Sequence, residues 1–184
     1  MIKVSRLVLA ALFLLLFSGM SFAVDVDPCA SWPVTLEEDA DGFYEIGSAD
    51  ALYKFACMVN NGATNISGKL TADICLNACK EGESVLKANG TLSDNASNFT
   101  QWTPIGTYDN QYTGTFDGKG NTVSGLYFND ESMHYVGLFG YISSGATVQN
   151  VGVIDSYLRG GGALSVAWSG SIVVQSAMST IRAR

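Results

Sequence analysis

The stretch Gly120-Asn-Thr-Val-Ser-Gly-Leu-Tyr-Phe128 aligns without gaps with Gly145-Ala-Thr-Val-Gln-Asn-Val-Gly-Val153, 25 positions further along the chain. Gly125 aligns with Asn150, and these two residue types tolerate a positive φ better than most. Each row therefore predicts a short strand, a bend and a second strand. A fixed spacing with apolar residues in constant register is typical of a solenoid. The aligned apolar pairs, which we expect to be neighbours, are Val123 with Val148, Leu126 with Val151 and Phe128 with Val153.

The amino-terminal residues have the pattern of a secretory signal peptide. Lys3 and Arg6 precede the apolar run Leu7–Phe17, which is too short for a good membrane span. Small residues around Ala23 predict cleavage after it, so the signal peptide spans 1–23; a retained anchor is the alternative. Loss of the two basic residues changes the formal charge from −7 to −9. An acidic exported chain favours neither nucleic acid nor an anionic membrane as partner, and we expect no membrane span after cleavage.

Four cysteines follow the predicted cleavage point. An even number in an exported chain favours two disulfides, and three pairings are open. We favour Cys29 with Cys57, which would fasten the amino-terminal arm to the next helix, and Cys75 with Cys79, which would close a short loop. Zinc ligation is the alternative, but there is no CxxC pair and His134 is the only histidine. We therefore expect no metal and no cofactor.

The region after the signal peptide begins with an acidic arm and a first strand, residues 24–47, in which Phe43–Ile46 is the strand. Residues 48–62 predict a helix, because Ser48 can serve as its N-cap and apolar residues recur at helical spacing. The open end of a solenoid would expose apolar side chains and unpaired backbone. We therefore predict that this helix caps the first rung; an ordinary helix packed elsewhere is the alternative.

Residues 63–157 are predicted to form the rungs of the solenoid. Residues 78–101 are long, polar and weakly patterned, which indicates a loop inserted between rungs. The composition changes after this region, since no acidic residue follows Asp155. We expect the tail, residues 158–184, to be the truncated end of a longer repeat array, with a genuine carboxy-terminal cap as the alternative.

The segment Gly137-Leu138-Phe139-Gly140 fits the GLUG motif of glycine, leucine, an apolar residue and glycine. The segments at 102–106 and 112–120 are similar to the usual lead-in to such repeats. On these residues the chain resembles the GLUG-motif repeat family of large exported bacterial proteins. That family includes adhesin-like surface proteins and non-catalytic regions of secreted peptidases. The resemblance implies a right-handed parallel β-helix and carries over no catalytic residues, although the further repeats of a typical member do not follow Tyr157.

Four aspartates are candidates by type for cleaving a glycan, which requires clustered carboxylates. They are Asp73, Asp109, Asp117 and Asp155. Asp117 precedes a glycine and is expected to be a turn residue. His134 has no serine or cysteine nucleophile nearby in sequence and is expected to be an ordinary surface residue. The pattern does not bring these groups together, so we expect no catalytic site and no enzymatic activity.

The aromatic residues favour binding. Trp102 and Tyr127 are candidate ligand contacts, because exposed aromatic rings stack on sugars or anchor protein partners. Strand alternation predicts that Tyr127 points away from the core; packing against the inserted loop is the alternative. We expect an all-β protein with one helix, exported to the cell surface, the medium or the periplasm, that binds a polysaccharide or a surface protein. The alternatives are a carbohydrate-active β-helix enzyme or its remnant, and a non-functional fragment.

Overall fold

The computed structural model describes residues 27–161 and the backbone of residues 172–173. The predicted signal peptide and most of the predicted tail lie outside this range. Within it, short strands are the main regular elements and there is one α-helix. In chain order the elements are β1 (Phe43–Ile46), α1 (Ala49–Asn60), β2 (Ser67–Leu70), β3 (Ile74–Cys75), a 3-10 helix (Asp94–Asn98), β4 (Thr115–Asp117), β5 (Thr122–Ser124), β6 (Tyr127–Asp130), β7 (Thr147–Gln149), β8 (Gly152–Ile154), β9 (Tyr157–Gly160) and β10 (Ile172–Val173).

The strands form three sheets, and every ladder between them is parallel. The first sheet has the order β1-β2-β4-β7-β10, the second β3-β5-β8 and the third β6-β9. The chain therefore visits the sheets in turn. We divide the chain into three repeats. The first repeat contains β2, β3 and the residues that follow up to 112. The second contains β4, β5, β6 and the residues that follow up to 142, and the third contains β7, β8 and β9. The expectation of a mainly β protein with parallel strands and one helix is confirmed.

The predicted 25-residue register is wrong. Val148 pairs with Phe116 in the first sheet, whereas Val123 pairs with Val153 in the second. Between the second and third repeats, partners in the second and third sheets are 30 positions apart, as for Tyr127 and Tyr157, and partners in the first sheet are 32 positions apart. The two aligned rows therefore belong to different sheets.

The cause of the error is that two corners of the repeat resemble each other in sequence. Gly125 and Asn150 both have positive φ, 75° and 53°. The positive-φ residue that corresponds to Gly125 in the next repeat is Asp155, with φ 40°, because Gly125 N donates to Asp155 O at 3.0 Å. The pattern of a glycine, one further residue and then Thr-Val thus occurs at strands of two different sheets, and local pattern alone does not distinguish them.

Alternate residues of the strands fill the interior. In the first sheet Gly68, Phe116 and Val148 form one inward column, and in the second Ile74 lies beside Val123. These side chains are buried. Outward positions in the first sheet are polar, with Glu45, Lys69, Asp117 and Gln149 in register across four strands. The ladder hydrogen bonds and the apolar interior together hold the repeats in place.

Helix α1 forms where the sequence predicts it. The Ser48 hydroxyl accepts a hydrogen bond from Ala51 N at 3.2 Å, as an N-cap does. At the other end Gly62 has φ 108°. Gly62 N donates to Val59 O, and Ala63 N donates to Met58 O. This pair of bonds is the Schellman motif, which satisfies the last carbonyls of the helix.

The apolar face of α1 packs on the first repeat. Phe55 is fully buried and makes edge contacts with Tyr112 and Phe116, at ring-centroid distances of 6.1 Å and 5.8 Å. Asn60 bonds to the loop beyond, because its amide donates to Pro104 O at 3.0 Å and its carbonyl accepts from Gly106 N at 2.8 Å. The helix therefore lies against the amino-terminal side of the stacked strands.

All four cysteines form disulfides, in the pairing that the sequence favours. Cys29 is bonded to Cys57 in α1, and Cys75 is bonded to Cys79 at the start of the inserted loop. The first bond fastens the amino-terminal arm to the helix, and Lys54 supports it with an ion pair to Asp27 at 2.5 Å. The second bond tightens the point at which the chain leaves the second sheet.

The inserted loop is closed at its base by Asn77, a buried polar residue. Its amide donates to Thr100 O at 3.0 Å and to Gly125 O at 2.7 Å, and its carbonyl accepts from Thr100 N at 2.8 Å. Asn77 therefore joins the two ends of the loop to each other and to the next repeat. The third repeat reaches Gly160, three residues past the predicted boundary at Tyr157.

Candidate binding surface

The candidate carboxylates form links between repeats. Asp73, which is exposed, accepts hydrogen bonds from Thr122 N at 2.7 Å and from the Thr122 hydroxyl at 3.0 Å. These two bonds lower the pKa of Asp73. The side chain therefore continues the contact between β3 and β5 beyond the last backbone pair, which is a structural role.

Asp117 is the most enclosed of the four, with 8 % of its side chain exposed. One carboxylate oxygen accepts from Lys119 N at 2.8 Å and from the Asn150 amide at 3.1 Å. The other accepts from the Gln149 amide at 3.0 Å and lies 3.1 Å from the Lys119 ammonium. Burial raises the pKa of Asp117, but these donors more than offset it and lower the pKa to about 2. Asp117 is the expected turn residue and also binds the second repeat to the third.

Asp155 secures the inserted loop. Its carboxylate accepts from the Ser84 hydroxyl at 2.5 Å, from Val85 N at 3.1 Å and from Leu86 N at 3.3 Å. The Val85 side chain is fully buried at this contact. Asp109 is exposed in the loop after Gly106. In residues 27–161 no three acidic, histidine or cysteine side chains are grouped so as to hold a metal ion.

Trp102 is not a surface residue, and its prediction as a ligand contact is wrong. The side chain is fully buried, its indole N–H donates to Gly137 O at 3.0 Å, and its ring lies 5.3 Å from that of Tyr53. The indole therefore joins helix α1 to the loop that carries the GLUG-like segment. A polar N–H with a backbone partner allows this large ring to be buried without an unpaired donor.

Tyr127 does point outward, as alternation predicts, since it is half-buried while Leu126 and Phe128 are buried. Its ring stacks on Tyr157 of the neighbouring strand at 6.2 Å and 27°. On its other side it makes an edge contact with Phe99 of the inserted loop, at 5.6 Å and 70°. We call these three rings the aromatic row. Both interpretations of Tyr127 therefore have support, because it packs against the loop and remains partly accessible.

The GLUG-like segment forms a buried junction between repeats. Leu138 and Phe139 are buried, and Phe139 forms a parallel bridge with Ile105. A Cβ added to Gly106 would lie 2.2 Å from Tyr141 O, and one added to Gly140 would lie 2.7 Å from Gly106 O. These glycines are required because the two backbones meet without room for a side chain.

Beside this junction lies a surface groove of about 290 Å³. Its wall contains Tyr108, Tyr135, Tyr141, Met133 and His134, which we call the tyrosine groove. Tyr108 is 73 % exposed and Met133 is 47 % exposed. Few large apolar side chains in the described part of the chain are so accessible, and here two occur together. His134 is exposed, as the sequence predicts.

The three tyrosine rings support one another. Tyr141 lies 4.2 Å from Tyr135 at 51° and 5.8 Å from Tyr108 at 82°. Burial raises the pKa of Tyr141, and a hydrogen bond with Tyr135 and the proximity of Tyr108 raise it further. Like any phenol with a pKa of about 10 or above, the Tyr141 hydroxyl is protonated at neutral pH and can donate a hydrogen bond.

These tyrosines are not among the ligand contacts predicted from the sequence. A usable signal was present: Pro-Ile-Gly106 and Leu-Phe-Gly140 occupy equivalent places in successive repeats, and a tyrosine follows each of them within two residues. The inserted loop encloses a larger polar cavity of about 840 Å³ between Leu76 and Thr100. It is lined by Leu76, Asn77 and residues of the loop, with no aromatic side chain except Phe99.

Two curated proteins match part of the chain. One is a putative Gly-rich membrane protein of Evansella cellulosilytica, 34% identical over 62 residues, which are 34% of this chain and 7% of that protein. The other is halomucin of Haloquadratum walsbyi, 32% identical over 122 residues, which are 64% of this chain and 1% of halomucin. The chain therefore spans a small fraction of the length of either relative.

No protein-family model and no solved structure matches the chain. Among the described residues, no helix has the length and apolar character needed to cross a bilayer. The comparisons therefore establish partial likeness to two much longer proteins.

Proposed function

We propose that this chain is an exported, non-enzymatic module of the GLUG-repeat type, folded as a right-handed parallel β-helix, that attaches to a polysaccharide or a cell-surface protein. The parallel ladders support the fold. Each sheet receives one strand from each of the second and third repeats, at nearly constant intervals of 30 to 32 positions. Helix α1 lies between β1 and β2 in the chain, where strands of the second and third sheets would otherwise occur, and it packs on the first repeat as a cap does.

Export is supported by the cysteines. Both disulfides have ordinary Cα separations, 5.8 Å and 5.7 Å, and stable disulfides belong to oxidising compartments. The predicted signal peptide at 1–23 points the same way. One relative is named a membrane protein, which agrees with a surface location for this chain.

A non-enzymatic role is supported by what the aspartates do. Asp73, Asp117 and Asp155 each accept hydrogen bonds that join one repeat, or the inserted loop, to another. Their presence is therefore explained by structure. A glycosidase instead needs two carboxyl groups held on opposite sides of one bond.

The observation that carries the proposal is the exposure of aromatic rings on the outside of a filled stack. The interior has large buried side chains such as Trp102 and Phe116, so the accessible aromatic residues are not needed there. Tyr108 is the clearest case. Aromatic side chains outside the core are typical of binding surfaces.

Attachment of the whole chain tests this proposal. The purified chain, coupled to beads, is incubated with bacterial cells, extracellular polysaccharide and matrix proteins, and deletion of the coding sequence is examined in the source organism. We expect retention on at least one of these surfaces and weaker cell attachment after deletion. Absence of retention on all of them, with attachment unchanged by deletion, would contradict the proposal.

A further inference from the structure

We propose that the tyrosine groove is a subsite for a neutral sugar ring in an extracellular glycan chain. This inference rests on the proposed attachment function and specifies the chemistry of one ligand. It concerns Tyr108, Tyr135 and Tyr141, together with Met133 and His134.

The accessible ring is Tyr108. Its contact with Tyr141 is edge-to-face, with centroids 5.8 Å apart and planes at 82°. Such a contact covers only part of the Tyr108 ring, and 73 % of the residue remains exposed. The C–H face of a pyranose can therefore stack on it. Stacking removes apolar surface of both partners from water and leaves the sugar hydroxyls free to bond at the rim.

The groove is also neutral. No aspartate, glutamate, lysine or arginine lines it, so an anionic ligand finds no counter-charge there and meets a chain of formal charge −7. A cationic ligand finds aromatic faces but no lining carboxylate. A sugar needs neither. Its hydroxyls can bond to the phenols and to His134, because a phenol, whose ordinary pKa is about 10, is a hydrogen-bond donor at neutral pH.

The size and rigidity agree with this ligand. A volume of about 290 Å³ is at the lower end of the roughly 300–1,000 Å³ typical of small-molecule sites, which suits a short part of an oligosaccharide. The loops on either side are joined by backbone bonds, Gly140 N to Ile105 O at 2.9 Å and Tyr112 N to Tyr141 O at 3.0 Å. The groove spans two repeats that are held together, so binding need not order a loose segment.

The test measures binding of neutral hexasaccharides of glucose, mannose, xylose and N-acetylglucosamine by calorimetry and by NMR. Oligogalacturonate and choline serve as the anionic and cationic probes. Tyr108→Ala removes the ring, and Tyr108→Phe keeps the ring but removes the hydroxyl. Tyr44→Ala is the matched control, because it removes a half-buried aromatic side chain of β1 that does not line the groove. The thermal midpoint of each variant is measured to show that it folds.

We expect the wild-type chain to bind at least one neutral hexasaccharide. Tyr108→Ala should weaken that binding about tenfold or more, whereas Tyr108→Phe and Tyr44→Ala should stay within about threefold. Binding that Tyr108→Ala leaves unchanged would overturn the inference, as would binding of only choline or oligogalacturonate. If no neutral hexasaccharide binds while the whole chain still attaches to cells, the sugar subsite is wrong and the attachment function stands. If attachment is also absent, both fail.

Discussion

The amino-terminal end and the third repeat use the same parallel pairing but differ in how they are buried. At the amino-terminal end, Ile46, Leu52 and Phe55 are fully buried beneath or within helix α1. In β8 and β9 most side chains are half-buried and none is fully buried. The first region is therefore stabilised by an apolar core, and the third repeat depends more on ladder hydrogen bonds and polar links. Sensitivity to mutation should fall from one end to the other.

The largest effect should come from Phe55→Ala. Loss of a fully buried phenylalanine leaves a cavity under Tyr112 and Phe116, and such changes cost about 3–5 kcal/mol. Leu158→Ala in β9 is the control, because Leu158 is half-buried and pairs with Phe128; we expect a loss of about 1 kcal/mol. Urea unfolding gives both values. Equal losses would show that the two ends do not differ as their burial indicates.

Removal of the amino-terminal disulfide should also destabilise the fold more than removal of the other disulfide. Cys29 and Cys57 are 28 positions apart, and a loop of that length predicts a loss of about 3–4 kcal/mol when both are replaced by serine. Cys75 and Cys79 are 4 positions apart, which predicts about 2 kcal/mol for the same double change. Thermal unfolding of the two double variants tests this. If the Cys75–Cys79 variant lost more stability, the more important constraint would be the one at the inserted loop and not the one at helix α1.

The difference between the two regions also explains what the sequence could predict. Helix α1 and the strand Phe43–Ile46 follow from local signals, because an N-cap, helical spacing and a terminal glycine act within a few residues. The register of the repeats does not. It depends on the number of residues at each corner, and two corners with similar glycine and asparagine signals were aligned with each other. The correct partners of Val123 and Phe116 are set by contacts across whole repeats.

The surface was also predicted only in part, because local pattern does not show which residues of different repeats come into contact. Alternation along one strand places Tyr127 outward, since Leu126 and Phe128 are inward neighbours in sequence. Trp102 lies outside a named strand, so no periodicity indicated that its indole would be buried against Tyr53. The tyrosine groove joins Tyr108 to Tyr141, which are far apart in sequence and meet only after two repeats pack together.

Asp117 tests the polar links on which the third repeat depends. Its pKa is lowered from 3.8 to about 2 in the folded chain. A lowered folded-state pKa adds stability above the unfolded-state value, and that stability is lost as the pH falls from about 4 to about 2. The shift corresponds to about 2 kcal/mol. Asp117→Asn should therefore reduce the free energy of unfolding at neutral pH and flatten its dependence on pH between 4 and 2.

The measurement is urea unfolding from pH 2 to pH 7. Asp109→Asn is the matched control, because Asp109 is an exposed loop residue; it should keep the wild-type profile. If the free energy of unfolding of Asp117→Asn still fell between pH 4 and pH 2 as in the wild type, the loss would be due to other carboxylates. The amide of asparagine would also face the Gln149 and Asn150 donors, so some loss at neutral pH reflects two donors meeting.

The smallest change in the free energy of unfolding is expected for a glycine-to-alanine substitution, which can be made in both regions. A Cβ at Gly68 in β2 would lie 2.8 Å from the Phe55 ring and 3.0 Å from Ile46, within a filled interior that cannot move aside. Gly68→Ala should therefore cost about 1–2 kcal/mol. A Cβ at Gly152 in β8 would lie 3.1 Å from a methyl of Thr122, a half-buried side chain that needs to shift by only a few tenths of an ångström and can do so without losing its bond to Asp73. Gly152→Ala should be close to neutral, because alanine also loses less backbone freedom than glycine on folding.

If urea unfolding shows both changes to be neutral, the packing of α1 on the first repeat is looser than these distances require. If both are costly, the third repeat is packed as tightly as the cap, and the contrast between the two ends lies in side-chain size rather than in packing.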